Sequence, residues 1–169
     1  MEALSLRALA AGAGVSKTAP YRHFADKHEL LMTLAAEGFG RLADLLEAAL
    51  AEPGESPTDA TAGVRALSNA YVQFAQARPA LYKLMFSRLG FSLHSEKCRI
   101  NSQRALSCLV RVVQQAQARG WRADRDTNVL VLSLWAEVHG WVGLVIDGLL
   151  PESADNEAPV IESVLGAIL

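Results

Sequence analysis

Apolar residues recur at steps of three and four along most of this chain, and the single alternation of strands is missing, so an all-α protein is expected. Ser5 is placed to cap a first short helix, Leu6 to Ala11, which Gly12-Ala13-Gly14 ends. Ser16 caps a second short helix reaching Phe24, and Asp26 with Glu29 three residues on makes a capping box for a long third helix through Leu50. Pro53-Gly54-Glu55-Ser56-Pro57 is the clearest linker, because neither proline can continue a helix. Further helices are expected over Asp59 to Ala77, Pro79 to Arg88, Ser95 to Arg119, Arg125 to Gly148 and Glu157 to Leu169, with Gly90, Gly120 and Pro151 as stops. The pattern divides the chain into a small head, residues 1–39, and a larger body, residues 40–169, with the boundary inside the long third helix.

Composition adds a core and a charge asymmetry. At 51% hydrophobic, the 169 residues can bury a substantial interior. The net charge of −2 hides a split. Up to His28, Arg7, Lys17, Arg22 and Lys27 outnumber Glu2 and Asp26, whereas acids outnumber bases in the remainder. A basic head on an acidic body suits a molecule that meets phosphates with one end only. Cys98 and Cys108 fall on one expected helix, about 15 Å apart along its axis, too far to bridge. That cysteine usage, with no stretch that reads as a secretory signal, points to a reducing, cytoplasmic setting and no membrane partner. The most apolar segment, Val129 to Leu150, is interrupted by Glu137, His139 and Asp147 and reads as a buried interface helix.

Two short helices around a glycine-containing turn, closely followed by a capped third, form the grammar of a helix-turn-helix. Leu6, Leu9 and Val15 would pack against Phe24 and Leu30, leaving Ser16, Lys17, Thr18, Ala19, Tyr21, Arg22 and His23 outward. Such a face mixes phosphate donors with groups able to reach base edges. The run Leu6-Arg7-Ala8-Leu9-Ala10, through Gly14-Val15-Ser16-Lys17, to Tyr21-Arg22-His23-Phe24 and Asp26-Lys27, resembles the signature of the TetR family of transcriptional regulators. The resemblance implies that Ser16, Tyr21, His23 and Lys27 bind phosphates and that Lys17, Thr18, Ala19 and Arg22 lie toward the bases. Pro20 departs from the family, where an aliphatic residue is usual. The family also begins with a further helix ahead of this motif, so the numbered sequence is expected to be an incomplete version of the natural chain.

In the body, Trp135-Ala136-Glu137-Val138-His139-Gly140-Trp141 resembles the Trp, His and Gly signature of one TetR subgroup, and Arg78 to Phe86 is similar to that subgroup too. Val138, Val142, Val145 and Leu149 mark an apolar face, with Gly140 and Gly143 allowing close approach. These residues are expected to form a homodimer seam with Val160, Val164 and Ile168 of the last helix. Tyr71, Phe74, Tyr82, Met85, Phe86, Val110 and Val113 form either an adaptable apolar pocket or solid core. Trp135 and His139 share one helical face, as structural residues or as contacts to a ligand.

No nucleophile, base and orienting residue recur at meaningful spacing, and there is no glycine-rich phosphate loop, so an enzyme is not expected. His94 and Cys98 are two metal-capable residues without further partners, and no metal or cofactor is expected. The resemblance implies a ligand-responsive regulator, a repressor that binds a palindromic operator in double-stranded DNA as a homodimer and is released by a largely apolar small molecule. The alternative is a small-molecule-binding helical protein without DNA-binding activity.

Overall fold

A computed structural model describes residues 5–51, 59–87 and 95–149, and every regular element among them is helical. The order is α1 (Leu6–Gly12), a 3-10 turn (Pro20–Arg22), α2 (Lys27–Ala51), α3 (Ala62–Ala77), α4 (Pro79–Met85), α5 (Glu96–Ala118) and α6 (Thr127–Ile146). The expected helix from Glu157 and the linker's prolines lie outside the described residues.

Local chemistry sets most of the boundaries. The Ser5 hydroxyl accepts from the Ala8 amide to open α1. At its end the Val15 amide donates to Ala10 and the Gly14 amide to Ala11, a pair of bonds that requires Gly14 at φ +67°. Asp26 accepts from the Glu29 amide at 2.9 Å while the Glu29 carboxylate reaches back to the Ala25 amide at 2.6 Å, closing the expected capping box of α2. Ser95 opens α5, Asp126 opens α6, and Pro79 occupies the first turn of α4, where its missing N–H costs nothing. Between α5 and α6, the Gln117 amide donates to the Arg125 carbonyl and the Thr127 hydroxyl to the Gln117 side chain.

The body is a helical bundle around one core, in which α2 packs chiefly on α5 and also on α3 and α4, while α6 packs on α3 and α5. That core begins at Ala35; the buried Leu6, Ala10 and Met32 lie outside it. Val15, expected to pack inside the head, is 50% exposed. At 25 residues, α2 is about 37 Å long and runs unbroken from the head into the body. Two close approaches fix it there. A Cβ at Gly38 would lie 2.6 Å from Met85 Sδ, and one at Gly40 would lie 3.0 Å from Asn101 Nδ2. Asn101 donates to the Ala36 carbonyl at 2.8 Å, and Arg104 spans Asp44 and Glu47.

The sequence expectation for α6 needs correction on one count. By length and composition alone it is apolar enough to cross a bilayer, with a mean hydropathy of 1.8 over its best window, because Glu137 and His139 do not outweigh its valines and leucines. A third of that window is buried within the protomer.

Candidate functional site

The head presents its polar residues, but not on the helix expected from Ser16 to Phe24. The chain turns at 17–19 and makes only the 3-10 turn Pro20–Arg22. The cause is Pro20, which has no N–H to give the Ser16 carbonyl; the Ala19 amide takes that carbonyl instead, at 3.0 Å, in the tighter three-residue spacing. The Ser16 hydroxyl meets Thr18 at 3.3 Å. Ser16, Lys17, Thr18, Tyr21, Arg22 and His23 are all exposed, while Ala19 and Lys27 are half-buried. The eight residues thus fall on or near one short surface segment.

In the body, α2, α3, α5 and α6 enclose a cavity of about 230 Å³. Phe39, Leu42 and Leu46 of α2 form one wall. Leu67, Ser68 and Tyr71 of α3, Leu134, Trp135 and Val138 of α6, and Phe86 complete the inner part. Ser102, Gln103, Ala105, Leu106 and Leu109 of α5 close it, with the exposed Gln103 and Leu106 at the rim. Of the residues singled out from the sequence, Tyr71, Phe86 and Trp135 line this space. Phe74, Met85 and Val113 do not: they are buried in solid core, where Met85 fills the gap over Gly38 and Phe74 lies beneath the Arg78 guanidinium. Val110 is half-buried at the edge of the core. The lining leucines and Phe39 were not singled out, since a leucine facing a void and one facing another leucine carry the same pattern.

Tyr82 and His139 stand behind Tyr71 in a small polar cluster. Both hydroxyls reach His139 Nδ1, Tyr82 at 2.5 Å and Tyr71 at 3.0 Å, and the two oxygens are 3.0 Å apart. The Phe86 and Trp135 rings pack against the imidazole. Burial pushes Tyr71 up to about 12, against side-chain hydrogen bonds with Tyr82 and Trp135, which pull it down. Burial, then the neighbouring Tyr71, raises Tyr82 as well, and burial lowers His139. All three groups are therefore neutral near pH 7. A neutral imidazole with its proton on Nε2 leaves Nδ1 to accept from a hydroxyl.

This cluster has a stability signature. Below His139's ordinary value of 6.5 the unfolded chain binds a proton that the folded chain resists until its lowered value is reached, so folded stability falls as pH drops through that window. Acidification from about pH 7 to about pH 5.5 is expected to lower the melting temperature more for the native protein than for His139→Asn. Parallel pH–melting curves for the two would show that the imidazole is not held neutral.

The outer face of α6 is apolar and uncovered among the described residues. Val129 is 59% exposed, Leu132 57% and Leu144 43%, and Ser133, Ala136 and Gly140 are exposed between them. Added Cβ atoms at Gly140 and Gly143 would meet nothing within 4 Å, and Leu149 follows, exposed. The seam expected through Val138, Val142 and Val145 is thereby corrected in phase. Val142 is 1% exposed inside the protomer, Val138 lines the cavity, and Val145 packs on the core. Val160, Val164 and Ile168 lie outside the described residues. At one edge of the face, Glu137 Oε2 and Trp141 Nε1 are buried with no hydrogen-bond partner among the described residues, and burial raises the Glu137 carboxyl against the pull of Arg122. Cys98 and Cys108 are buried thiols, both raised by burial. His94 lies outside the described residues.

Comparison with known proteins adds independent findings. Residues 64–167 match the family described as tetracyclin repressor-like, C-terminal domain, and residues 1–34 match the bacterial regulatory proteins, tetR family. A solved structure of a protein of unknown function from Rhodococcus sp. RHA1 is 38% identical and superposes with a TM-score of 0.77, covering 98% of this chain and 81% of that one. A crystal structure of a protein described as regulatory shares the fold at a TM-score of 0.73 and 24% identity, over 98% of this chain and 85% of its own. No protein of curated function matches.

Proposed function

This chain belongs to the TetR family of bacterial regulatory proteins, and we propose from that membership that it is a ligand-responsive repressor, acting as a homodimer on a palindromic operator. Residues 1–39 are the DNA-binding head and residues 40–169 the effector-binding and dimerisation body, in a cytoplasmic protein without enzymatic activity. One observation carries the ligand response: α2 leaves the head and, farther along, supplies a wall of the body's cavity through Phe39, Leu42 and Leu46. A molecule seated in that cavity touches the same helix that positions the head. Its differential affinity for two placements of α2 is then the coupling between sites.

On DNA, two heads occupy successive major grooves about 34 Å apart. Ser16, Tyr21, His23 and Lys27 meet phosphates, and Lys17, Thr18, Ala19 and Arg22 face base edges. The outer face of α6 supports the dimer, because a strip of this length with glycine at its centre lets a partner helix approach closely. The test uses the duplex this protein selects from a random pool. Tyr21→Ala and Lys27→Ala are each expected to weaken binding to it about tenfold at unchanged dimer mass, and Lys27→Ala to reduce the salt slope by about one. Unchanged gel-shift titrations would remove both contacts.

A second reading, a small-molecule-binding protein that does not read DNA, draws on the segment 16–24, which forms one 3-10 turn where the motif calls for a helix. Failure to enrich any sequence from the random pool, with ligand binding intact, would favour it.

A further inference from the structure

Taking the cavity as the effector site, we propose that it takes an uncharged, largely apolar molecule about the size of two fused rings, bearing one hydroxyl that donates to Tyr71. This rests on the functional reading above and narrows it.

The first support is charge. None of the described side chains lining the cavity is acidic or basic, so among them an ionised carboxylate or ammonium would lose its water and gain no counter-charge. The few polar side chains are already engaged. Ser68 donates to the Val64 carbonyl and Ser102 to the Arg99 carbonyl, while the Gln103 carbonyl takes the Arg99 guanidinium. Both serines have thus spent their protons and can only accept, and Gln103 sits at the rim, so Tyr71 is the aromatic hydroxyl of the inner wall.

The second support is a count of protons and lone pairs. The Tyr82 hydroxyl makes its shorter contact with His139 Nδ1, at 2.5 Å against 3.0 Å to Tyr71; with its proton on that contact, the Tyr71 proton goes to the Tyr82 oxygen. A phenol oxygen has two lone pairs, and Trp135 takes one of those on Tyr71. The other is an acceptor at the wall of an apolar space, which fits an alcohol or a phenol better than a ketone.

The third support is size. An apolar cavity of about 150 Å³ holds one benzene. At about 230 Å³ this one is half as large again, and it is reached past the exposed rim at Gln103 and Leu106.

The test is calorimetric titration and thermal shift with naphthalene, naphthol and naphthoate at neutral pH, against the native protein, Tyr71→Phe and Leu106→Trp. Naphthol should bind about tenfold more tightly than naphthalene, the worth of one well-made hydrogen bond, and naphthoate should give no shift. Tyr71→Phe should erase the difference between naphthol and naphthalene while both still bind. Leu106→Trp, at an exposed position that leaves the core alone, should weaken both by crowding the rim. Naphthoate binding as well as naphthol would overturn the ligand class and leave the effector site standing, as would a naphthol preference that survives Tyr71→Phe. Silence from all three probes, with the native protein folded, would remove the cavity as a binding site and the proposal with it.

Discussion

Val142→Asp is expected to lower the melting temperature of this protein by about 20 °C. The side chain is 1% exposed and packed in the common core of the bundle, so an aspartate there has neither water nor a partner. An uncompensated buried charge costs about 4 kcal/mol, and the lost valine packing adds to it. Against a typical total of about 10 kcal/mol, that moves the chain close to unfolding. Circular dichroism melting reads the outcome directly. A sharp transition within a few degrees of the native one would mean that Val142 faces outward after all.

The contrasting experiment lies on the outer side of the same helix. Leu132→Glu with Leu144→Glu changes two residues that are 57% and 43% exposed, so the protomer should keep its helical content and its melting cooperativity. What should change is assembly. Sedimentation is expected to show a monomer, and affinity for a palindromic duplex should fall about a hundredfold or more, because two linked heads bind with an avidity that one lacks. A folded dimer with unaltered DNA affinity would place the partner contact elsewhere on the molecule.

These two experiments diverge because of what could and could not be read in the sequence of α6. Nearly every position from Val129 to Val145 is apolar, glycine or alanine, so the three-to-four spacing that reveals a helix contains little to say which side is buried. The valines look like a seam, and the structure turns them inward. Local chemistry was legible at two places: Ser5 caps the helix it precedes, and the Asp26–Glu29 box closes as its spacing predicts. The second helix of the head failed for a local reason as well. Pro20 forfeits a single early bond, but that bond is the one needed to turn the 16–19 segment into α-helix. The polar cluster was beyond reach for a different reason. Tyr71, Tyr82 and His139 meet from three helices, across sequence separations of 11, 57 and 68, and no local pattern records such a meeting.

Gly38 and Gly40 carry a mechanical consequence. With Met85 seated over one and Asn101 over the other, α2 is gripped near its middle like a beam clamped at one end, and the span toward the head up to Leu34 lies outside the body's core. From Lys27 to Ala36 that span is about 14 Å, so a tilt of about 5° at the clamp swings the tip by about 1 Å. Two protomers paired about a twofold axis would swing their tips in opposite senses, doubling the change in spacing that a duplex has to meet.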